Sequence, residues 1–148
     1  MSTYTQIIYQ IVFSTKGNER TLSKDKRDDL FKYITGVLKN KKCHLYVIGG
    51  VEDHIHILTH LHPTVALATL VKDIKLSSSD FIKSKRLFLA FNGWQEGYGA
   101  FTYSIREKQV LIAYINNQEE HHKKISFKEE YMDFLKEHNI VFDEKYLL

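Results

Sequence analysis

The stretch DHIHIL (53–58) sets His54 and His56 one residue apart in an apolar run. In a β-strand, residues i and i+2 point the same way, about 7 Å apart, so the two imidazoles face together and Ile55 and Ile57 turn to the other side. Two such imidazoles can converge on one metal ion, with Glu52 and Asp53 beside them. They can equally be partly buried histidines hydrogen-bonded within the sheet. HLH (60–62) repeats the pattern, so spacing alone does not choose between the pairs. His60 and His62 fall at the strand end, before Pro63, where exposure is expected. A catalyst needs more than two ligands, and AYINNQEEHHKK (113–124) supplies Tyr114 and Gln118 at i and i+4, on one helical face. The Gln118 carbonyl is a neutral third ligand for a hard cation and leaves the ion's charge available to a phosphate. The Tyr114 phenol could attack phosphorus, its phenolate favoured by a nearby metal. The bland alternative is a core aromatic packed with Val110, Leu111 and Ile115.

These residues need elements to hold them. QIIYQIVFSTK (6–16) reads as a central strand, with Ile7, Tyr9, Ile11 and Phe13 on one face and Ile8 and Val12 on the other. Ser23 is an N-cap for a helix whose apolar positions are Leu30, Phe31, Ile34, Val37 and Leu38. CHLYVIGG (43–50) is a second strand ending in a Gly-Gly turn, and DHIHILTHL (53–61) a third, antiparallel to it because the connection is short. Pro63 and Thr64 open a helix over about 65–75, which LSSSD interrupts. FNGWQEGYG is a glycine-rich loop with Trp94 as a packing anchor, and AFTYSI (100–105) is a fourth strand. Ser104 with Glu107, and Ser126 with Glu129, stand in capping-box spacing. They predict helices over about 105–122 and 127–138. The order β-α-β-β-α-β-α-α predicts an α+β sandwich of ferredoxin or RNA-recognition type, an antiparallel sheet with helices on one face and the other face free for a ligand or partner.

The 148 residues suit a single domain over 1–148, and no apolar run approaches a membrane span. The N-terminal residues lack the layout of a signal peptide. One cysteine, Cys43, excludes an internal disulfide, so a cytoplasmic location is expected. The net charge of +3 is uneven: residues 1–106 hold 15 Lys/Arg against 9 Asp/Glu, and 107–148 hold 6 against 9. A basic main body suits a polyanion such as nucleic acid, although a solvated surface of mixed charge reads the same way.

The blocks IVFSTKGNER, GGVEDHIHIL, VKDIKLSSSD, WQEGYGAFTYS and YINNQEEHHKK, with the tail FKEEYMDFLKEHNIVFDEKYLL, together resemble the single-tyrosine HUH transposases of small bacterial insertion sequences, the IS200-like family. The resemblance covers almost the whole chain. It implies His54, His56 and Gln118 as metal ligands, which decides against His60 and His62, and Tyr114 as the nucleophile. It further implies metal-dependent cleavage and rejoining of single-stranded DNA through a 5′-phosphotyrosine, with Mg²⁺ or Mn²⁺ at the scissile phosphate and hairpins recognised at element ends. The family is dimeric, and in it the tyrosine helix can complete the partner subunit's site. Lys16, Arg20, Lys72, Lys75, Ser77, Ser78 and Ser79 are the candidate phosphate contacts. Departures at Gln10, where relatives often carry histidine, and at GNER (17–20) are expected to bear on DNA preference and not on chemistry. The competing readings are a domesticated relative acting on chromosomal hairpin repeats, a nucleic-acid-binding module without chemistry, and a simple metal-dependent nuclease.

Overall fold

The computed structural model describes residues 2–147. Four strands, β1 (Ile8–Ser14), β2 (His44–Gly50), β3 (His54–His60) and β4 (Gly99–Tyr103), form one antiparallel sheet in the order β2-β3-β1-β4. Helix α1 (Lys24–Asn40) joins β1 to β2, and α2 (Leu67–Lys85) joins β3 to β4. This is the predicted α+β ferredoxin-type arrangement. After β4 come α3 (Lys108–Asn116), the single turn α4 (Gln118–His121) and α5 (Phe127–Glu137).

Strand alternation sorts the core into two. Ile11 and Phe13 of β1 and Ile55 and Ile57 of β3 face Leu30, Ile34 and Leu38 of α1 and Leu70, Val71 and Ile74 of α2. Val12 and Ile8 face the other way, toward α5 and α3 respectively. The expectation of helices on one face thus describes α1 and α2 only. The face expected to be free is closed by α3, α4 and α5, whose apolar stripes need a surface to bury.

Three local expectations differ from what is observed. LSSSD does not interrupt α2: Ser77 donates to the Asp73 carbonyl at 2.7 Å, and Ser78 falls on the buried stripe with Val71, Ile74 and Ile82. The helix expected over 105–122 breaks at Asn117 (φ −99°, ψ 20°), so Tyr114 and Gln118 lie on successive short helices. Gly49 and Gly50 are not a turn but the end of β2, paired with His56 and Ile55. A side chain at Gly49 would place its Cβ 2.7 Å from the Ile115 carbonyl oxygen, so glycine there lets α3 lie directly on the sheet. Trp94 is the anchor expected, its ring edge-on to Phe13 at 5.0 Å and its Nε1 donating to Ser78 Oγ at 3.0 Å.

Candidate active site

His54 and His56 project from the centre of the sheet onto the face closed by α3–α5, and both are fully buried. Each imidazole has one nitrogen tied back to an acceptor. His54 Nδ1 donates to Asp53 Oδ1 at 2.6 Å, His56 Nδ1 to Gln10 Oε1 at 2.8 Å, and His122 Nδ1 to the Ile125 carbonyl at 2.9 Å. Fixing Nδ1–H in this way turns the Nε2 atoms into potential metal donors. All three converge on Glu130 Oε1, at 3.3 Å from His54, 3.0 Å from His56 and 3.2 Å from His122. Gln118 Oε1 joins them, 3.2 Å from His54 Nε2 and 3.0 Å from His122 Nε2. One ligand atom from each of His54, His56, His122 and Glu130 lies within 4.8 Å of the others. Lone pairs crowded together with only protons to share suit a cation at their centre, so the donor set fits a divalent metal.

Tyr114 points into the same nest. Its hydroxyl donates to Glu130 Oε2 and lies 3.2 Å from His121 Nε2. Glu130 therefore joins the phenol to the imidazoles within one chain. Gln118 Nε2 also donates to Glu130 Oε2, at 3.3 Å. A cavity of about 470 Å³, lined by Tyr103, Leu111, Tyr114, His121, Glu130 and Phe134 among others, gives access from the α3–α5 side.

Charge follows geometry. Burial pushes the Glu130 carboxyl up, but hydrogen bonds from His122, His54 and His56 outweigh it and hold the group far below the usual carboxylate range. Burial and the Glu130 charge push the Tyr114 phenol well above its ordinary value. Burial lowers His54, but the Asp53 and Glu130 carboxylates win and raise it; for His56 burial wins and lowers it.

Positioning comes from outside the cluster. Arg27 of α1 is buried, donates to the Leu22 carbonyl at 2.8 Å, and reaches Glu119 Oε1 at 3.0 Å, pinning α4 beside Gln118. Gln10, expected to concern DNA preference, instead lies buried behind His56 and also donates to the Tyr103 hydroxyl at 3.1 Å. The sequence reading missed Glu130, His121, His122 and Arg27. Glu130 had a signal: in FKEEYMDFL it falls at helical spacing between Phe127, Tyr131 and Phe134, a carboxylate on the apolar stripe of α5. Arg27 had the same one, shared with Leu30 and Ile34 on the buried side of α1.

The other candidates lie apart. His60 Nδ1 accepts from the Ile7 amide at 3.0 Å, and His62 pairs with Thr64 at 2.6 Å. Lys72, Lys75 and Ser77 to Ser79 ride on α2, across the sheet from Tyr114. Lys72 is exposed. Lys75 donates to the carbonyls of Gln95 and Gly97 at 2.9 and 2.7 Å, and Ser78 is buried under Trp94. Lys16 is exposed, and Arg20 pairs with Glu52 at 3.1 Å.

A sheet that offers converging imidazoles next to a phenol is equipped for metal-assisted nucleophilic chemistry. The sequence model of the family described as "Transposase IS200 like" matches residues 3–118, and the chain belongs to that family. Among curated proteins none matches. Several solved structures share the fold, among them two transposases. One is a candidate transposase of Deinococcus radiodurans R1, with TM-score 0.58 and 22% identity over 80% of this chain and 95% of that one. The other is a REP-associated tyrosine transposase bound to a REP hairpin, with TM-score 0.62 and 14% identity over 84% and 76%. Among the described residues no helix is long and apolar enough to cross a membrane.

Proposed function

We propose that the chain cleaves and rejoins single-stranded DNA, with Tyr114 as the nucleophile. The observation that carries this is the Tyr114 hydroxyl and the Nε2 atoms of His54, His56 and His122 meeting on the two oxygens of one carboxylate, Glu130. His54, His56 and Gln118 would hold a divalent cation, with His122 and Glu130 as further donors. Three imidazoles in that set favour Mn²⁺ over the oxygen-loving Mg²⁺. When bound, the ion offsets charge that develops on the scissile phosphate.

The chain's own groups do the rest. Asp53 and Gln10 fix the orientation of the two sheet histidines. Tyr114 attacks phosphorus, a 3′-hydroxyl departs, and the protein keeps a 5′-phosphotyrosine whose bond energy lets a second 3′-hydroxyl reverse the step. One chain brings the phenol and the imidazoles together, which supports a tyrosine acting within its own subunit, whether or not the protein is a homodimer. The substrate is DNA carrying a hairpin, as the REP-bound fold relative suggests, and the protein works in the cytoplasm. The exposed Lys16 and Lys72, with Arg20, remain candidates for backbone contacts.

The test is incubation with labelled single-stranded hairpin DNA and Mn²⁺. A gel-stable covalent adduct is expected, lost in Tyr114→Phe. Cleavage without an adduct would make the protein a nuclease, and binding alone a recognition module. Hairpin affinity is expected to fall steeply with salt.

A further inference from the structure

A groove runs outward from the Tyr114 phenol between α3 and α5. Glu107, Val110, Leu111 and Tyr114 stand at i, i+3, i+4 and i+7 along one wall, and Glu130, Asp133, Phe134 and Glu137 repeat that spacing along the other. Tyr103 of β4 lines the sheet side. This is the cavity of about 470 Å³, and the chemistry proposed above uses only its inner end. We infer that the cavity holds a nucleobase, that of the nucleotide immediately 3′ of the scissile phosphate, and favours bases with an amino group over thymine, an assignment that rests on the nucleophilic reading of Tyr114.

Size, walls and charge point to a base. The volume is in the range that encloses a small organic ligand. The rings of Tyr103, Tyr114 and Phe134 offer the aromatic faces on which single-stranded bases stack. The charged side chains on the two walls beyond Glu130 are the carboxylates Glu107, Asp133 and Glu137, with no lysine or arginine among the lining residues. A phosphate is repelled there, whereas a neutral base is not. The Ser104 amide already occupies Glu107 at 2.9 Å, so Asp133 and Glu137, one turn apart on α5, are the acceptors left for the base. Carboxylates only accept. Cytosine, adenine and guanine bring amino groups to donate, while thymine presents two carbonyl oxygens and a single N–H. The stereochemistry of attack picks the nucleotide. In-line displacement sends the leaving 3′-oxygen away from the phenol, and the nucleotide attached through its 5′-oxygen stays beside Tyr114, where the cavity begins. On its other side Tyr114 borders a hollow that carries Lys124, a cation for the backbone outside the cavity.

The test is adduct formation on hairpin strands that differ only at that nucleotide, carrying adenine, cytosine, guanine, thymine or an abasic site, at DNA concentrations below saturation. The thymine and abasic strands are expected to react about tenfold or more slowly than the best amino base. Tyr114→Phe, which cannot form the adduct, is expected to rank the same strands in the same order by Kd. Asp133→Asn with Glu137→Gln keeps the size of both side chains at a half-buried and an exposed position. Losing two negative charges strengthens binding to every strand alike, so the ratio between bases is the measure. The amino-base advantage over thymine is expected to shrink to within about threefold, with the abasic strand still slow. Should the double variant not fold, Glu137→Gln alone, at the exposed position, must reduce that advantage. Equal rates on all five strands overturn the proposal. So does a thymine strand as fast as the best amino base, or a base ratio that the carboxamide variants leave unchanged. No adduct from the wild-type protein on any strand would defeat the functional reading itself; adducts indifferent to the base defeat this inference alone.

Discussion

The two faces of the sheet are built from the same strands and differ in what they bury. On the α1–α2 side, β1 and β3 present Ile11, Phe13, Ile55 and Ile57 to two long helices, and every one of these side chains is fully buried in apolar surroundings. On the α3–α5 side, the intervening residues set Gln10, His54 and His56, equally buried but each hydrogen-bonded, among the apolar Ile8, Val12 and Leu58. The first face is held by non-directional burial. The second depends on a polar network in which each member satisfies another, where the loss of one strands the rest. One face is thus a foundation and the other a tool, and alternation at period two lets a single strand serve both.

The hardest way to break the second face is Glu130→Ala. It removes the carboxylate that three imidazoles and a phenol share, and the expected cost is about 3–5 kcal/mol, as for a buried charge network losing one partner. Chemical denaturation of the metal-free protein checks this. Gly49→Ala comes next. The new methyl meets the Ile115 carbonyl, so α3 must lift, at about 1–3 kcal/mol. Because Tyr114 rides on α3, adduct formation is expected to fall at least tenfold while α1 and α2 keep their amide protection in hydrogen exchange. Equal loss of protection on both faces would show that the faces do not respond separately.

The faces also differed in how far the sequence revealed them. Alternation in β1 and β3 and the 3.6-residue period of α1 make the dry face readable, because burial of isoleucine and leucine is a local pattern. His54 and His56 share a strand face as the spacing implied, and Tyr114 and Gln118 stand beside them in space, a meeting that only the family resemblance suggested. Glu130 and His122 were not legible as partners, because nothing local says that α5 folds back over β3. The break at Asn117 escaped for a related reason: the residues around it suit a continuous helix, and the turn that swings Gln118 toward His54 is set by tertiary contacts such as Arg27 with Glu119. The free face was misjudged because the ferredoxin core is complete at β4, and the sequence beyond it was not assigned a surface.

Acid sharpens the comparison further. Glu130 and Asp53 are both depressed in the folded protein, so the unfolded chain takes up their protons first as pH falls. Their contribution is complete above their ordinary values, 4.5 and 3.8, and is lost as pH drops through and below them. The histidines act higher and against each other. His54, raised, adds stability below 6.5 that fades as pH climbs through its folded value; His56, lowered, subtracts stability as pH falls below 6.5. Melting temperature is therefore expected to change little between pH 7 and 5 and to fall steeply below 4.5, with α5 amides exchanging before those of α1. Glu130→Gln should melt lower at neutral pH and show a shallower acid limb. An acid limb as steep as wild type would mean that carboxylates elsewhere control it.

The smallest effect tests the independence of the foundation. Ile57→Val deletes one buried methylene from the dry face, one residue along β3 from His56, and should cost about 0.5–1.5 kcal/mol. Since Ile57 points away from the histidines, Mn²⁺ affinity and the rate of adduct formation are expected to match wild type within twofold. A larger fall in either would mean that packing on the α1–α2 side sets the angle at which β3 delivers its imidazoles. The strand would then transmit strain through its thickness, and the division into foundation and tool would hold for composition but not for mechanics.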